Sequence, residues 1–243
     1  MLLWYNEDDD ICFKEADMRY RIVGDNLPAV ILSVERGEVI ISESGGRTWM
    51  RGPITTETTS YGGAKKVFSR MFSGESLFMS RYIAEGDAEI AFSSSFPGNI
   101  IVRELRAGES IICQKRAFLC GMGDLDLSIH FKKKFGAGLV GGEEFIMQKV
   151  TGPGIVFLEL DGYTPEYDLA PGERLVCDTG ALAVMDETCT MDVQMVRGAK
   201  NIFLGGEGLF DTVITGPGRV YLQTMSAEKM AALIIPFIPR DNG

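Results

Sequence analysis

Histidine is all but missing from this chain: His130 stands alone among 243 residues. A multi-histidine metal site and a histidine-centred catalytic triad are thereby excluded, and a lone histidine on a polar strand face is ordinarily solvated. Cysteine is sparse and irregular. Its five positions (Cys12, Cys113, Cys120, Cys177 and Cys189) are odd in number and hold no CxxC pair, which argues against a disulfide framework or zinc knuckle and for a reducing compartment. Positive charge is short as well: 24 Lys and Arg face 34 Asp and Glu, leaving a formal net charge of −10. Such a balance repels phosphate backbones and disfavours wholesale nucleic-acid binding. Long hydrophobic runs are absent. The longest, Met230 to Pro239, holds two prolines and falls short of the roughly 20 residues a spanning helix needs. The opening MLLWYNEDDD has no basic region before its apolar residues, so it predicts neither a secretory signal nor a transit peptide, and a soluble cytoplasmic protein is expected.

What the chain does have is glycine. Twenty-nine Gly, nine Pro and 45% hydrophobic residues arranged in short runs predict many strands joined by tight turns. The glycines also repeat. GEEFIMQKVTGPG at Gly142 to Gly154 returns as GEGLFDTVITGPG at Gly206 to Gly218 and, more faintly, as GESLFMSRYIAEG at Gly74 to Gly86. A second recurring element is a Gly-Glu pair after an apolar strand, at Gly37-Glu38, Gly108-Glu109 and Gly172-Glu173. LRAGESIIC at Leu105 to Cys113 lies over LAPGERLVC at Leu169 to Cys177, with leucine, glycine, glutamate and cysteine all 64 positions apart. A glycine there supplies the positive φ of a hairpin turn.

Between these markers the chain alternates. Leu125, Leu127, Ile129 and Phe131 interleave with Asp126, Ser128 and His130, and Met191, Val193 and Met195 with Asp192 and Gln194. Period two predicts one wet face and one buried face. AVILSV at Ala29 to Val34, TTETTS at Thr55 to Ser60, IVFLEL after the first TGPG and RVYLQT after the second are further strands. Three units of about 64 residues cannot each close a core, so they are expected to share one.

The resulting expectation is an all-β single domain of three internally repeated antiparallel β units with pseudo-threefold symmetry. Its parts are an N-terminal extension over 1–17, a body over 18–225 with units of about 18–98, 99–164 and 165–225, and a C-terminal helix and tail over 226–243. Ser226 is placed to cap that helix, Met230, Leu233 and Ile234 form its apolar stripe, and Pro236 stops it. The stripe is expected to lie over an open sheet end or edge, or against another chain.

GESLF at Gly74 to Phe78, GGEEFIMQKVTGPG at Gly141 to Gly154, GGEGLF at Gly205 to Phe210 and the ending YLQTMSAEKMAALIIPFIP at Tyr221 to Pro239 carry a family likeness. Over about Met18 to Pro239 the chain resembles a widespread group of bacterial proteins related to the mitochondrial altered-inheritance-of-mitochondria protein 24. The resemblance implies a fold similar to the tryptophan RNA-binding attenuator protein-like superfamily, with three short β units arranged as a prism and assembly into homo-oligomers. It implies no established reaction. The mitochondrial relatives look like inner-membrane organisers, a role tied to a targeting segment that this sequence does not show. SGGRTWM at Ser44 to Met50 departs from the small-residue-plus-methionine pattern of the group.

Several chemistries can be weighed against plainer readings. Gly136 to Gly141 spells GxGxxG, yet that motif works only between a strand and a helix, whereas a strand pattern follows here. Cys113 and Cys177 follow apolar strand residues and suit small buried hydrophobes better than reactive thiols. The trios Glu38, Glu109, Glu173 and Glu75, Glu143, Glu207 share repeat positions and could gather around a cation, although a Glu beside a turn glycine is normally a surface group. The feature least explained by folding is a basic loop ahead of each Gly-Glu pair: Lys65, Lys66 and Arg70, then Lys132, Lys133 and Lys134, then Arg197 and Lys200. If the units are related by symmetry, these bases share one end of an acidic molecule and could dock an anionic membrane surface or an acidic protein.

The function these residues favour is a non-enzymatic, homo-oligomeric β scaffold or binding module, with no catalytic residue, metal or cofactor assigned. A small-molecule or metal-dependent enzyme using a cleft between units stands behind it, and RNA binding by analogy with the superfamily stands third.

Overall fold

The glycine-bounded apolar runs become strands almost without exception. The computed structural model describes residues 19–43, 46–59, 79–134, 144–195 and 210–238. After a leading strand β1 (Tyr20–Val23), the strands fall into three runs of six. The first run is β2 (Ala29–Val34), β3 (Val39–Glu43), β4 (Arg47–Arg51), β5 (Ile54–Thr59), β6 (Met79–Ala84) and β7 (Ala88–Ser93). The second is β8 (Gly98–Leu105), β9 (Ser110–Gln114), β10 (Phe118–Gly123), β11 (Asp126–Lys134), β12 (Glu144–Thr151) and β13 (Gly154–Asp161). The third is β14 (Glu166–Leu169), β15 (Arg174–Asp178), β16 (Leu182–Asp186), β17 (Thr190–Met195), β18 (Phe210–Thr215) and β19 (Gly218–Leu222). A short helix α1 (Ala227–Ile234) and a 3-10 turn over Ile235–Phe237 follow.

One pairing rule covers all three runs. The fifth strand lies between the second and fourth: β6 pairs β3 and β5, β12 pairs β9 and β11, β18 pairs β15 and β17. The sixth lies between the first and third: β7 pairs β2 and β4, β13 pairs β8 and β10, β19 pairs β14 and β16. All these ladders are antiparallel. The third strand of one run then joins the second strand of the run before it, β10 to β3 and β16 to β9. Two six-stranded sheets result, β5-β6-β3-β10-β13-β8 and β11-β12-β9-β16-β19-β14, flanked by β1-β2-β7-β4 and β15-β18-β17.

Each run therefore splits between two sheets and buries its apolar residues between them. Val30, Leu32, Ile40, Ile90 and Phe92 centre one cluster. Ile111, Val150, Val156 and Leu158 centre a second, and Met147, Leu182, Ile214 and Val220 a third. Period-two alternation supplies these inward faces because successive strand side chains point to opposite sides.

The turn between first and second strands is built alike each time. Gly37, Gly108 and Gly172 hold φ of 92°, 81° and 80°, a region costly to residues with a Cβ. The following glutamates close the turn on themselves. Glu38, Glu109 and Glu173 each accept the amide N–H three residues earlier, from Glu35 at 2.8 Å, Arg106 at 3.0 Å and Ala170 at 2.8 Å. The two TGPG turns carry cis bonds at Gly152-Pro153 and Gly216-Pro217, a detail that proline's preferred φ alone did not reveal.

Three local expectations need correction. Met195, placed by alternation with the buried residues, is exposed, because β17 is the edge of a three-stranded sheet, with no further strand beside it among the described residues. His130 sits where β11 bulges between Ile129 and Phe131, so strict alternation breaks there. The helix begins where expected, with Ser226 Oγ accepting the Lys229 amide. Leu233 and Ile234 of its apolar stripe, however, do not lie against a sheet, being 61% and 50% exposed.

Candidate functional site

Strand direction gathers one set of groups at one end of the molecule. In every run the second strand ends, and the third begins, at the same end: Glu43 before Arg47, Gln114 before Phe118, Asp178 before Leu182. A 3-10 turn over Lys115–Ala117 and another over Thr179–Ala181 sit there. The connections from β7 to β8 and from β13 to β14 return to this end, as the registers Gly98 with Asp161 and Glu166 with Tyr221 require. So does the ending of β19, from which α1 departs.

Glu43, Gln114 and Asp178 stand six positions after the three turn glycines, and the end is built around them. Gln223 Nε2 donates to Gln114 Oε1 at 3.1 Å and to the Gly180 carbonyl at 3.0 Å, while its Oε1 accepts the Asp161 amide at 3.2 Å. Asp178 Oδ1 accepts the Gly180 amide at 2.9 Å. One rung inward lies a polar tier: Ser42 opposite Ser80, Cys113 opposite Gln148, Cys177 opposite Thr212. Gln148 is wholly buried and donates to the Lys115 carbonyl at 3.2 Å. Its Oε1 has no hydrogen-bond partner among the described residues.

Electrostatics at this end are unusual for a strand terminus. Burial pushes the Glu43 carboxyl up to about 7, opposed by Lys115 and Arg116 and reinforced by Glu159. Its Oε1 is buried without a hydrogen-bond partner among the described residues. Glu159 is raised chiefly by burial, although Ser95 donates to it through both its amide, at 2.6 Å, and its hydroxyl, at 3.2 Å. Asp161 is raised by burial and held back by Arg116. Three acids and two bases thus share a half-desolvated rim. The repeat offset locates the trio Glu43, Gln114 and Asp178 in the sequence, but nothing in the sequence signals that Glu43 is buried.

Of the basic residues singled out from sequence, Lys132, Lys133 and Lys134 end β11 at this same end of the molecule, since Lys134 pairs Glu144, three rungs beyond the rung of Met147 with Gln114. Lys133 Nζ donates to the Val193 carbonyl at 2.8 Å and lies 5.6 Å from the Phe210 ring centre. Lys65, Lys66, Arg70, Arg197 and Lys200 lie outside the described residues, as do Glu75, Glu143, Glu207 and the GxGxxG stretch. The glutamates of the other trio, Glu38, Glu109 and Glu173, are committed to their own turns rather than to one another. Among the described residues no three His, Cys, Asp or Glu side chains gather to hold a metal ion.

The thiols are poorly suited to nucleophilic work. Burial pushes both Cys113 and Cys177 up to about 12 and raises Cys120, so the thiolate is scarce at neutral pH. His130 is exposed, and desolvation and Lys149 lower its pKa against the pull of Glu187. At the opposite end, a shallow open depression is lined by Glu104, Leu105, Arg106, Glu109, Gly154 and Ile155. No helix among the described residues is long and apolar enough to cross a membrane.

Layered antiparallel sheets with a polar, charge-bearing end and a short C-terminal helix define an all-β protein. Residues 20–225 match the family described as Mitochondrial biogenesis AIM24. The chain belongs to that family. It is 25% identical to an uncharacterized protein of Streptococcus pyogenes serotype M6 over 94% of this chain and 95% of that one. A crystal structure of a Streptococcus pyogenes protein, a target of the Northeast Structural Genomics Consortium, matches with a TM-score of 0.73 at 23% identity, covering 90% of this chain and 99% of that one. At that identity the likeness speaks for the fold.

Proposed function

We propose that the protein is a non-enzymatic, oligomeric β scaffold that docks an anionic membrane surface through its basic end. Its body is three β units, about 18–98, 99–164 and 165–225, set around a pseudo-threefold axis as in the prism of the tryptophan RNA-binding attenuator protein-like superfamily. The threefold pairing rule supports that division. One observation carries the docking reading: uncovered apolar side chains and bases share the same end. Leu233, Ile234, Phe237 and Ile238 are exposed on α1 and the turn after it, and that segment leaves the end where Lys115, Arg116 and the β11 lysines lie. Bases attract anionic headgroups over a Debye length, and apolar side chains add burial once contact is made.

Sedimentation with vesicles tests this. The wild type is expected to pellet with vesicles containing phosphatidylglycerol and not with phosphatidylcholine alone, and to release as salt rises. A variant with all eight bases changed to glutamine should lose the binding, and Phe237→Ser with Leu233→Ser should weaken it. Equal pelleting of wild type and the eight-base variant overturns the proposal.

A further inference from the structure

The two seams between runs are built on one plan and differ in a pair of side chains. Where β16 joins β9, Val184 faces Cys113 and Leu182 faces Leu222, so Gln114 and Gln223, each one residue further on, flank the start of β16. Where β10 joins β3, Cys120 faces Ser42 and Phe118 faces Leu158, which sets Glu43 and Glu159 in the same two places at the start of β10. The 3-10 turns correspond as well, Gly180 of one standing where Arg116 stands in the other.

The amide pair supplies its own donors. Gln223 Nε2 donates to Gln114 Oε1 at 3.1 Å and to the Gly180 carbonyl at 3.0 Å, and Gln114 Nε2 donates to that carbonyl at 3.4 Å. Ionised carboxylates only accept, so the acid pair has no such donor. Ser95 satisfies Glu159 through its amide and hydroxyl, whereas Glu43 Oε1 is left buried without a hydrogen-bond partner among the described residues. One added proton repairs this: a carboxyl O–H can bond a facing carboxylate as the amide N–H bonds its neighbour, and it relieves the repulsion of two like charges in a half-desolvated place.

We propose that Glu43 and Glu159 share one proton across the seam of β10 with β3, and that its release weakens docking on an anionic membrane. The second half rests on the docking reading above and names its regulation. The groups around the pair set the sign. Lys115 and Arg116 stand on the turn before β10, Asp161 lies two residues beyond Glu159, and Cys113, which burial keeps a neutral thiol, faces Glu43 from the next sheet. With the proton in place, the pair sets one negative charge against the two bases. Without it there are two, and the attraction of Lys115 and Arg116 for headgroups is cancelled. Burial, reinforced by Glu159, holds the Glu43 carboxyl up at about 7, so docking is strong below neutrality and weakens as pH rises through it.

Two measurements on the full-length protein test this. Binding to vesicles containing phosphatidylglycerol, whose headgroup keeps its charge from pH 6 to pH 8, is expected to be about fivefold tighter at pH 6, the effect of one charge near the surface. Glu43→Gln with Glu159→Gln recreates the amide pair; this variant should bind at pH 8 at least as tightly as the wild type does at pH 6 and change little between them. Carbon-13 NMR of glutamate-labelled protein reads the proton itself. The Glu43 and Glu159 carboxyls are expected to titrate as a coupled pair, and changing either to glutamine should shift the titration of the other. Independent titrations, or both groups ionised at pH 6, overturn the shared proton. Equal wild-type binding at the two pH values, or a pH ratio that survives in the double variant, overturns its control of docking. Absence of binding at both pH values sinks the docking reading and this control with it, while the carboxyl titration still decides the shared proton.

Discussion

Gly152 presses its bare Cα against Leu105: a Cβ built on it would stand 2.6 Å from the Leu105 Cβ and 2.6 Å from the Leu105 carbonyl oxygen. Gly216 repeats the contact one run later, 2.7 Å from the Leu169 Cβ. The turn after the fifth strand is thus seated directly on the turn after the first.

Two glycine substitutions follow with different costs. Gly152→Ala pushes a Cβ onto the Leu105 side chain and the Leu105 and Arg106 carbonyl oxygens and is expected to destabilise by about 3 kcal/mol, near the upper end for overpacking. Gly108→Ala meets open space and costs only its left-handed φ, about 1 kcal/mol. Urea unfolding midpoints of the two variants should keep that order.

The turn glutamates make a second series. Removing the acceptor in Glu109→Ala or Glu173→Ala should cost about 1 kcal/mol each, the range for a solvent-exposed hydrogen bond to a charged group. Glutamine, which keeps an acceptor oxygen, should recover roughly half. The turns are separate and share no partner, so the double variant is expected to show the sum.

Glu43 gives the protein a pH dependence with a definite sign. Its folded pKa of about 7 lies above the ordinary 4.5, so between those values the folded chain holds a proton that the unfolded chain releases. Stability therefore falls as pH rises through that window and stays lowered above it. Glu43→Gln should flatten much of the slope and stabilise the protein at pH 8 by about 2 kcal/mol, an order-of-magnitude figure. Glu159 and Asp161, raised in the same direction, leave a residual slope. Denaturation at pH 5 and pH 8 for both proteins measures the difference.

Thiol chemistry should be silent in the native state. In a Cys12→Ser background, used because Cys12 lies outside the described residues, Cys113 and Cys120 are expected to resist a disulfide reagent at pH 8 and Cys177 to react slowly. All should label at once in denaturant. Fast native labelling of Cys113 would contradict its burial.

The strands, their turns and the inward faces were legible because they depend on near neighbours. Glycine at Gly37, Gly108 and Gly172 dictates a positive φ, alternation at Leu125 to Leu127 dictates a face, and Ser226 caps the helix that follows it. Where a neighbour was absent the local reading failed. Met195 alternates as a buried residue but lies on an edge, and the stripe of Leu233 and Ile234 covers no sheet among the described residues.

The candidate end shows the same division. Lys132, Lys133 and Lys134 could be picked out as a basic run, but that Lys133 Nζ donates to the Val193 carbonyl depends on β11 crossing β17, residues 60 positions apart. Glu43 is spelled like any strand-ending acid, and only its burial by the rest of the fold, reinforced by Glu159 against the pull of Lys115 and Arg116, lifts its carboxyl to about 7. By itself the sequence determined an all-β chain of glycine-punctuated strands in three similar stretches, since φ preference and period-two burial act over a few residues. The tertiary structure decided which strands meet across sheets, which edges stay open at β4 and β15, and which polar groups lose their water, because those outcomes depend on what arrives from elsewhere in the chain.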